Sequence, residues 1–150
     1  MTILSGKVLY KERVLPSSLF YLATLILPVS LILVALPFSE LVGFLMAGVS
    51  IPLILGLTWL AAPLITITDA ELRVGSATIE RKYLGEVEII TASNAFKERG
   101  VLLDSRAHTK FQIGIRESVK LEIRDEQDPT PYWLIATRNP EIMAGLLKKN

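Results

Sequence analysis

"SSLFYLATLILPVSLILVALP", residues 17–37, and "LVGFLMAGVSIPLILGLTWLAAPLI", residues 41–65, meet at the short break "PFSE", residues 37–40. Glu40 is the only charged residue between Arg13 and Asp69. A helix needs about 20 apolar residues to cross a hydrocarbon core of about 30 Å, and both runs reach that length. Each carries about a dozen large aliphatic or Phe residues, which at −0.3 to −0.6 kcal/mol apiece favour insertion by roughly 5 kcal/mol. A secretory signal is a poor match, because the first apolar core is too long and "LVALPFSE" lacks a small-x-small cleavage site. A soluble bundle is also a poor match, since its helices keep a polar stripe. The runs are therefore expected to be two antiparallel transmembrane spans, at about 17–37 and 41–65.

Orientation follows from the basic residues. Lys7, Lys11 and Arg13 precede the first span, Arg73, Arg81 and Lys82 follow the second, and the connecting loop has neither Lys nor Arg. The positive-inside rule then places both termini in the cytoplasm of a multi-pass inner (plasma) membrane protein, with Glu40 at a solvated loop tip outside. Prolines 28 and 52 lie mid-span and permit kinks. Gly48, Pro52 and Gly56 recur every four residues, a small-residue stripe that lets a neighbouring helix come close, first of all span one and otherwise a second copy. Neither span contains an ionisable residue, which argues against ion or proton transport by the hairpin alone.

The rest of the chain has a different composition. Residues 66–150 carry 13 Lys/Arg and 13 Asp/Glu. That neutral balance argues against nucleic-acid binding, which needs a basic surplus. Without Cys, no disulfide or thiol metal site can form.

From Leu64 on, the pattern is one of short strands. "LITIT" and "ELRV" alternate around a "DAE" turn, "GS" marks another turn, and "EVEII" alternates again. "KFQIGI" puts Phe111, Ile113 and Ile115 on one face and "VKLEI" does the same with Val119, Leu121 and Ile123, with "RES" as the turn between them. "DEQDPTP" is a proline-broken loop before the strand "YWLIAT". A helix follows, with Asn139 as cap, Pro140 at its first position and Ile142, Met143, Leu146 and Leu147 on its apolar side. Six or seven strands with a terminal helix predict an α+β protein: a transmembrane hairpin, then a small antiparallel β-sandwich or barrel closed by a C-terminal helix. The divisions expected are a cytoplasmic N-terminal segment (1–16), the hairpin (17–65) and a cytoplasmic β-rich domain (66–150). No flexible linker separates hairpin from domain, so the domain is expected to sit against the lipid headgroups.

The order of elements resembles that of bacterial pleckstrin-homology-like domains found directly after membrane hairpins. More closely, "LYKERVLP" (9–16), "ITDAELRVG" (67–75), "YLGEVEII" (83–90), "DSRAH" (104–108) and above all "DPTPYWLIATRNP" (128–140) resemble an actinobacterial membrane family, domain of unknown function 3093. At 104–108 this chain departs from that family's "DPRAY". The resemblance implies architecture, two spans and a small β-rich domain, and carries over no catalytic or binding residue.

Few residues point to chemistry. There is no glycine-rich phosphate loop and no G-x-S-x-G elbow. His108 is the only histidine, which excludes a multi-histidine metal site. Asp104, Ser105 and His108 lie too close in sequence to converge as a triad, and are expected in a solvated loop. Glu86 and Glu88 are expected on the wet side of a half-buried strand. No enzyme, cofactor or metal is therefore expected.

Two sets of binding residues remain. One is the stiff loop at Asp128 leading to Tyr132 and Trp133, beside Arg106 or Arg138, where strand alternation exposes at most one of the two aromatics. The other is Arg73, Arg81 and Lys82 on anionic headgroups. The function expected is a module at the cytoplasmic membrane surface that binds a protein partner or assembles with itself, with headgroup binding as the alternative and the lipid bilayer as its constant neighbour.

Overall fold

Strand β2, Leu64–Thr68, is the point around which the β-rich unit is organised. Its run of Ile and Thr favours extended backbone, and it is hydrogen-bonded to a neighbour on each side. One neighbour is β3, Glu71–Val74, reached through the Asp69–Ala70 turn. The other is β1, Val8–Arg13, which comes from the far side of the hairpin and pairs antiparallel, Arg13 opposite Leu64 and Glu12 opposite Ile65. Residues 8–14, expected within a separate N-terminal segment, thus belong to the β-rich unit. The computed structural model describes residues 6–148, so the first five residues of segment 1–16 and the last two of domain 66–150 lie outside it.

The chain divides into two compact units, Leu15–Ala62 and the remainder on either side of it. In the β-rich unit, β4, Ala77–Glu80, completes a first sheet in the order β1-β2-β3-β4. Gly75 makes the β3–β4 turn at a φ of +62°, a left-handed conformation that suits glycine. A single 3-10 turn, Arg81–Tyr83, leads to β5, Leu84–Ile90. The short helix α4, Ala95–Arg99, follows. β6 is His108–Lys110, β7 is Ser118–Ile123 and β8 is Tyr132–Ala136. They form a second sheet in the order β5-β7-β8-β6, in which β6 runs parallel to β8.

The two sheets share one core of Val14, Ile65, Ile67, Leu72, Val74, Val119, Leu121, Trp133 and Ile135. Helix α5, Pro140–Lys148, adds Met143, Ala144 and Leu147 to it.

Several expectations need correction. Strand β6 ends at Lys110; Phe111 and Ile113 are exposed in the loop that follows and only Ile115 turns inward, so "RES" does not close a hairpin. Asn139 stands at the N-cap of α5, where its C=O accepts from the Met143 N–H at 3.0 Å, and its side-chain amide donates to Tyr10 Oη at 3.2 Å. Ile142 faces solvent.

In the other unit, α1, Ser18–Thr24, and α2, Ile26–Ala35, together make the first apolar helix. A proline crowds the carbonyl four residues before it; for Pro28 that is Thr24, and the helix breaks at Leu25. α3, Glu40–Ala61, runs unbroken through Pro52. Glu40 is in its first turn rather than at the loop tip, where a carboxylate suits the positive end of the helix dipole.

Leu64 and Ile65, expected in span two, belong to β2. Ser18–Ala35 and Glu40–Ala61 are both long and apolar enough to cross a membrane. The helices touch through Gly43, where an added Cβ would lie 3.2 Å from Ala35 Cβ, with Ala47 and Ser50 also buried. The Gly48–Pro52–Gly56 stripe is on an open face: among the described residues nothing lies within 4 Å of where a Cβ would stand on either glycine.

Candidate functional site

The exposed face of the second sheet carries a concave polar surface. Alternation along β5 buries Val87 and turns Glu86 and Glu88 outward. Lys120 and Glu122 of β7 point the same way, and register places Glu88 opposite Lys120 and Glu122 opposite Tyr132. These side chains and Pro131 line a groove of about 390 Å³.

The groove is held in shape by its own contacts. Lys120 Nζ lies 2.9 Å from Glu98 Oε2 and 4.6 Å from the centre of the Tyr132 ring. Burial pulls the Lys120 pKa down, but Glu98, with help from Tyr132 and Glu88, outweighs it and leaves the ammonium more firmly charged. Glu122 accepts from the Glu86 backbone N–H at 2.9 Å and from Arg124, in that order the causes of its lowered pKa. A bulge in β5 next to Gly85 permits the first of these bonds. Three carboxyls, one ammonium and an aromatic wall make a surface suited to a cationic segment.

The loop residues expected to bind divide between the two ends of β8. At the first end, Tyr132 Oη accepts from the Asp104 N–H at 2.8 Å and donates to Leu102 O at 3.3 Å. Arg106 pairs with Asp104 at 2.9 Å, and this guanidinium, with the Arg106 N–H, holds the carboxyl down to about 2. Asp128 accepts from Thr130 N–H, so its carboxyl builds the proline turn. Trp133 enters the core against His108, ring centres 4.7 Å apart. His108 is therefore on a strand and half-buried, not in a solvated loop; burial, then Lys110, lowers its pKa. Arg138 is at the other end of β8, away from Tyr132.

Of the cations expected on headgroups, Arg81 is not at the surface. It is buried, with its guanidinium donating to Leu146 O at 2.6 Å and Thr68 O at 3.3 Å, so it ties α5 to the first sheet. Lys82 pairs with Glu80 at 2.7 Å, and Arg73 is half-buried on β3 between Thr66 and Thr78.

Sequence reasoning missed a polar centre where β1 meets the end of β8. Glu12 is buried, and its carboxyl accepts from Tyr10 Oη at 2.8 Å, from Thr137 Oγ1 and from the Arg138 N–H at 2.9 Å. Burial first, and Glu12 second, raise the Tyr10 pKa. "YKER" alone looks like a solvated segment; the signal lay in two distant motifs, "LYKERVLP" and "DPTPYWLIATRNP", which this carboxyl joins.

A family model described as "Protein of unknown function (DUF3093)" matches residues 9–147. The chain belongs to that family. No curated protein and no solved structure matches it. The DUF3093 match begins within β1 and ends within α5, so it takes in the hairpin, both sheets, the groove and the Glu12 centre.

Proposed function

We propose that this DUF3093 protein is an integral membrane protein that holds a pleckstrin-homology-like module at the cytoplasmic membrane surface, where the acidic groove docks a cationic segment of a protein partner or of a second copy. The single observation that carries this reading is the point of splicing. Val14 N–H donates to Pro63 O at 3.0 Å, so the chain leaves the module for the apolar hairpin and returns from it through two hydrogen-bonded neighbours. The membrane part is supported by exposure: Leu19, Val34 and Leu60 are each more than 70% exposed, a display of apolar surface that water penalises and lipid does not. The pleckstrin-homology likeness is supported by two four-stranded sheets around one core with a C-terminal helix packed on it; the parallel β6–β8 pair and a first strand upstream of the hairpin are its departures.

A photo-crosslinking residue in place of Glu88 should yield a discrete adduct in living cells. The same residue in place of Thr78, exposed on the other sheet, should not. The Glu88 adduct is expected to disappear with Glu86→Lys. No adduct at Glu88, or identical adducts at both positions, would contradict docking in the groove.

A further inference from the structure

Gln112 Nε2 donates to Val14 O at 2.6 Å, which fixes the 111–116 loop at the place where the chain departs for the hairpin. The same end of the module carries exposed apolar side chains near cations. Phe96, at the start of α4, is 85% exposed and Ile113 is 60% exposed. Arg99 joins the two segments: its guanidinium lies 4.6 Å from the centre of the Phe111 ring and donates to Ile115 O and Arg116 O, each at 2.8 Å. Lys97 and Arg116 are exposed beside them, and the Lys110 stem passes the Gly75 turn, whose N–H bonds Leu64 O next to the splice. Glu117 is the one carboxylate on the loop, and Glu98 is already paired with Lys120.

We infer that Phe96 and the 111–116 loop form a second membrane contact, in which Phe96 and Ile113 enter the headgroup boundary of an anionic bilayer while Lys97 and Arg116 meet its phosphates. Exposed aromatic and aliphatic tips ringed by cations have the chemistry of interfacial anchors, apolar burial plus attraction to anionic lipid. Chain continuity adds a second reason: this surface adjoins Val14 and Pro63, the two residues from which both strands of the hairpin connection depart. The contact rests on the membrane reading above. It replaces Arg73, Arg81 and Lys82 as the lipid-facing set, since Arg81 is buried and Lys82 follows the end of β4 remote from the splice.

The chain has no native cysteine, so a nitroxide can be placed singly on the full-length protein in vesicles of phosphatidylcholine and phosphatidylglycerol. Its accessibility to oxygen relative to a water-soluble nickel chelate then reports depth. At Ile113→Cys the ratio should be severalfold higher than at Ser105→Cys, which lies beside Tyr132 at the other end of β8, and should fall when Phe96→Glu and Arg116→Glu are added. Leu45→Cys, within α3, reports the hairpin itself. A lipid-like ratio at Leu45 with a water-like one at Ile113 overturns the second contact and leaves the membrane reading intact. A water-like ratio at Leu45 overturns both.

Discussion

A chain in which a short glycine-rich turn joins Val14 directly to Pro63, deleting Leu15–Ala62, should fold as a soluble protein with a cooperative unfolding transition. The reason is topological. Val14 and Pro63 are already hydrogen-bonded neighbours, so the hairpin occupies the position of a loop between two paired antiparallel strands, and closing a short loop costs little entropy. Pro63 offers no N–H, so a tight two-residue turn would lack one of its closing bonds and a slightly longer one is preferable.

The companion fragment, residues 63–150 alone, should show no cooperative transition. It loses a six-residue strand, the buried Val14 side chain and the Glu12 centre. Burial of one Val contributes about 1.5 kcal/mol or more and each ladder bond about 0.5–1.5 kcal/mol, a total comparable to the roughly 5–15 kcal/mol by which domains are stable. Removing the hairpin also removes Trp59, leaving Trp133 as the sole tryptophan reporter. If residues 63–150 fold as cooperatively as the spliced chain, β1 is not an integral strand.

The second large effect is expected at Glu12. Glu12→Ala should destabilise the β-rich unit by about 2–4 kcal/mol, because it strands the Thr137 and Tyr10 hydroxyls and the Arg138 N–H, and a buried donor left without an acceptor costs about 1–3 kcal/mol. Relief of the desolvation that Glu12 itself undergoes offsets part of that sum. Glu12→Gln should cost less, since one amide oxygen remains while the NH2 group meets hydroxyls that were donating. Thr137→Val should be strongly non-additive with Glu12→Ala, as expected for groups within one network. Denaturant midpoints of the spliced chain give all four values. A loss under about 0.5 kcal/mol for Glu12→Ala, the range of an ordinary surface substitution, would contradict the assignment of Glu12 as the tie between β1 and β8.

What could be read from the sequence was what a local pattern determines. The uncharged runs gave two long apolar helices, alternation put Tyr132 and Trp133 on opposite faces without saying which is buried, and Met143 and Leu147 marked the buried side of α5. What could not be read depended on partners far away in the chain. β1 looks polar because Lys11 and Arg13 interleave with Tyr10 and Glu12, and only the fold supplies a buried setting for Glu12. The aliphatics of "KFQIGI" fit a strand, yet a positive φ at Gly114 breaks the extended path and leaves Ile113 outside. Arg81 counts as a surface cation by residue type, but two carbonyls, Thr68 O and Leu146 O, hold it inside. In α3 both Gly43–Ala47–Ser50 and Gly48–Pro52–Gly56 satisfy helical spacing, and the rotation of the helix against α2, not the spacing, selects the first.

Cysteine placed at three positions tests most directly whether this hairpin crosses the membrane and keeps the module inside. Ser39 caps α3 without a side-chain hydrogen bond, and Ser76 and Ser105 are exposed on the module, so each substitution should be benign. In intact cells a membrane-impermeant maleimide should label Ser39→Cys, and should reach Ser76→Cys and Ser105→Cys only after permeabilisation. Labelling of Ser76→Cys or Ser105→Cys in intact cells, or of Ser39→Cys only in opened ones, would contradict it.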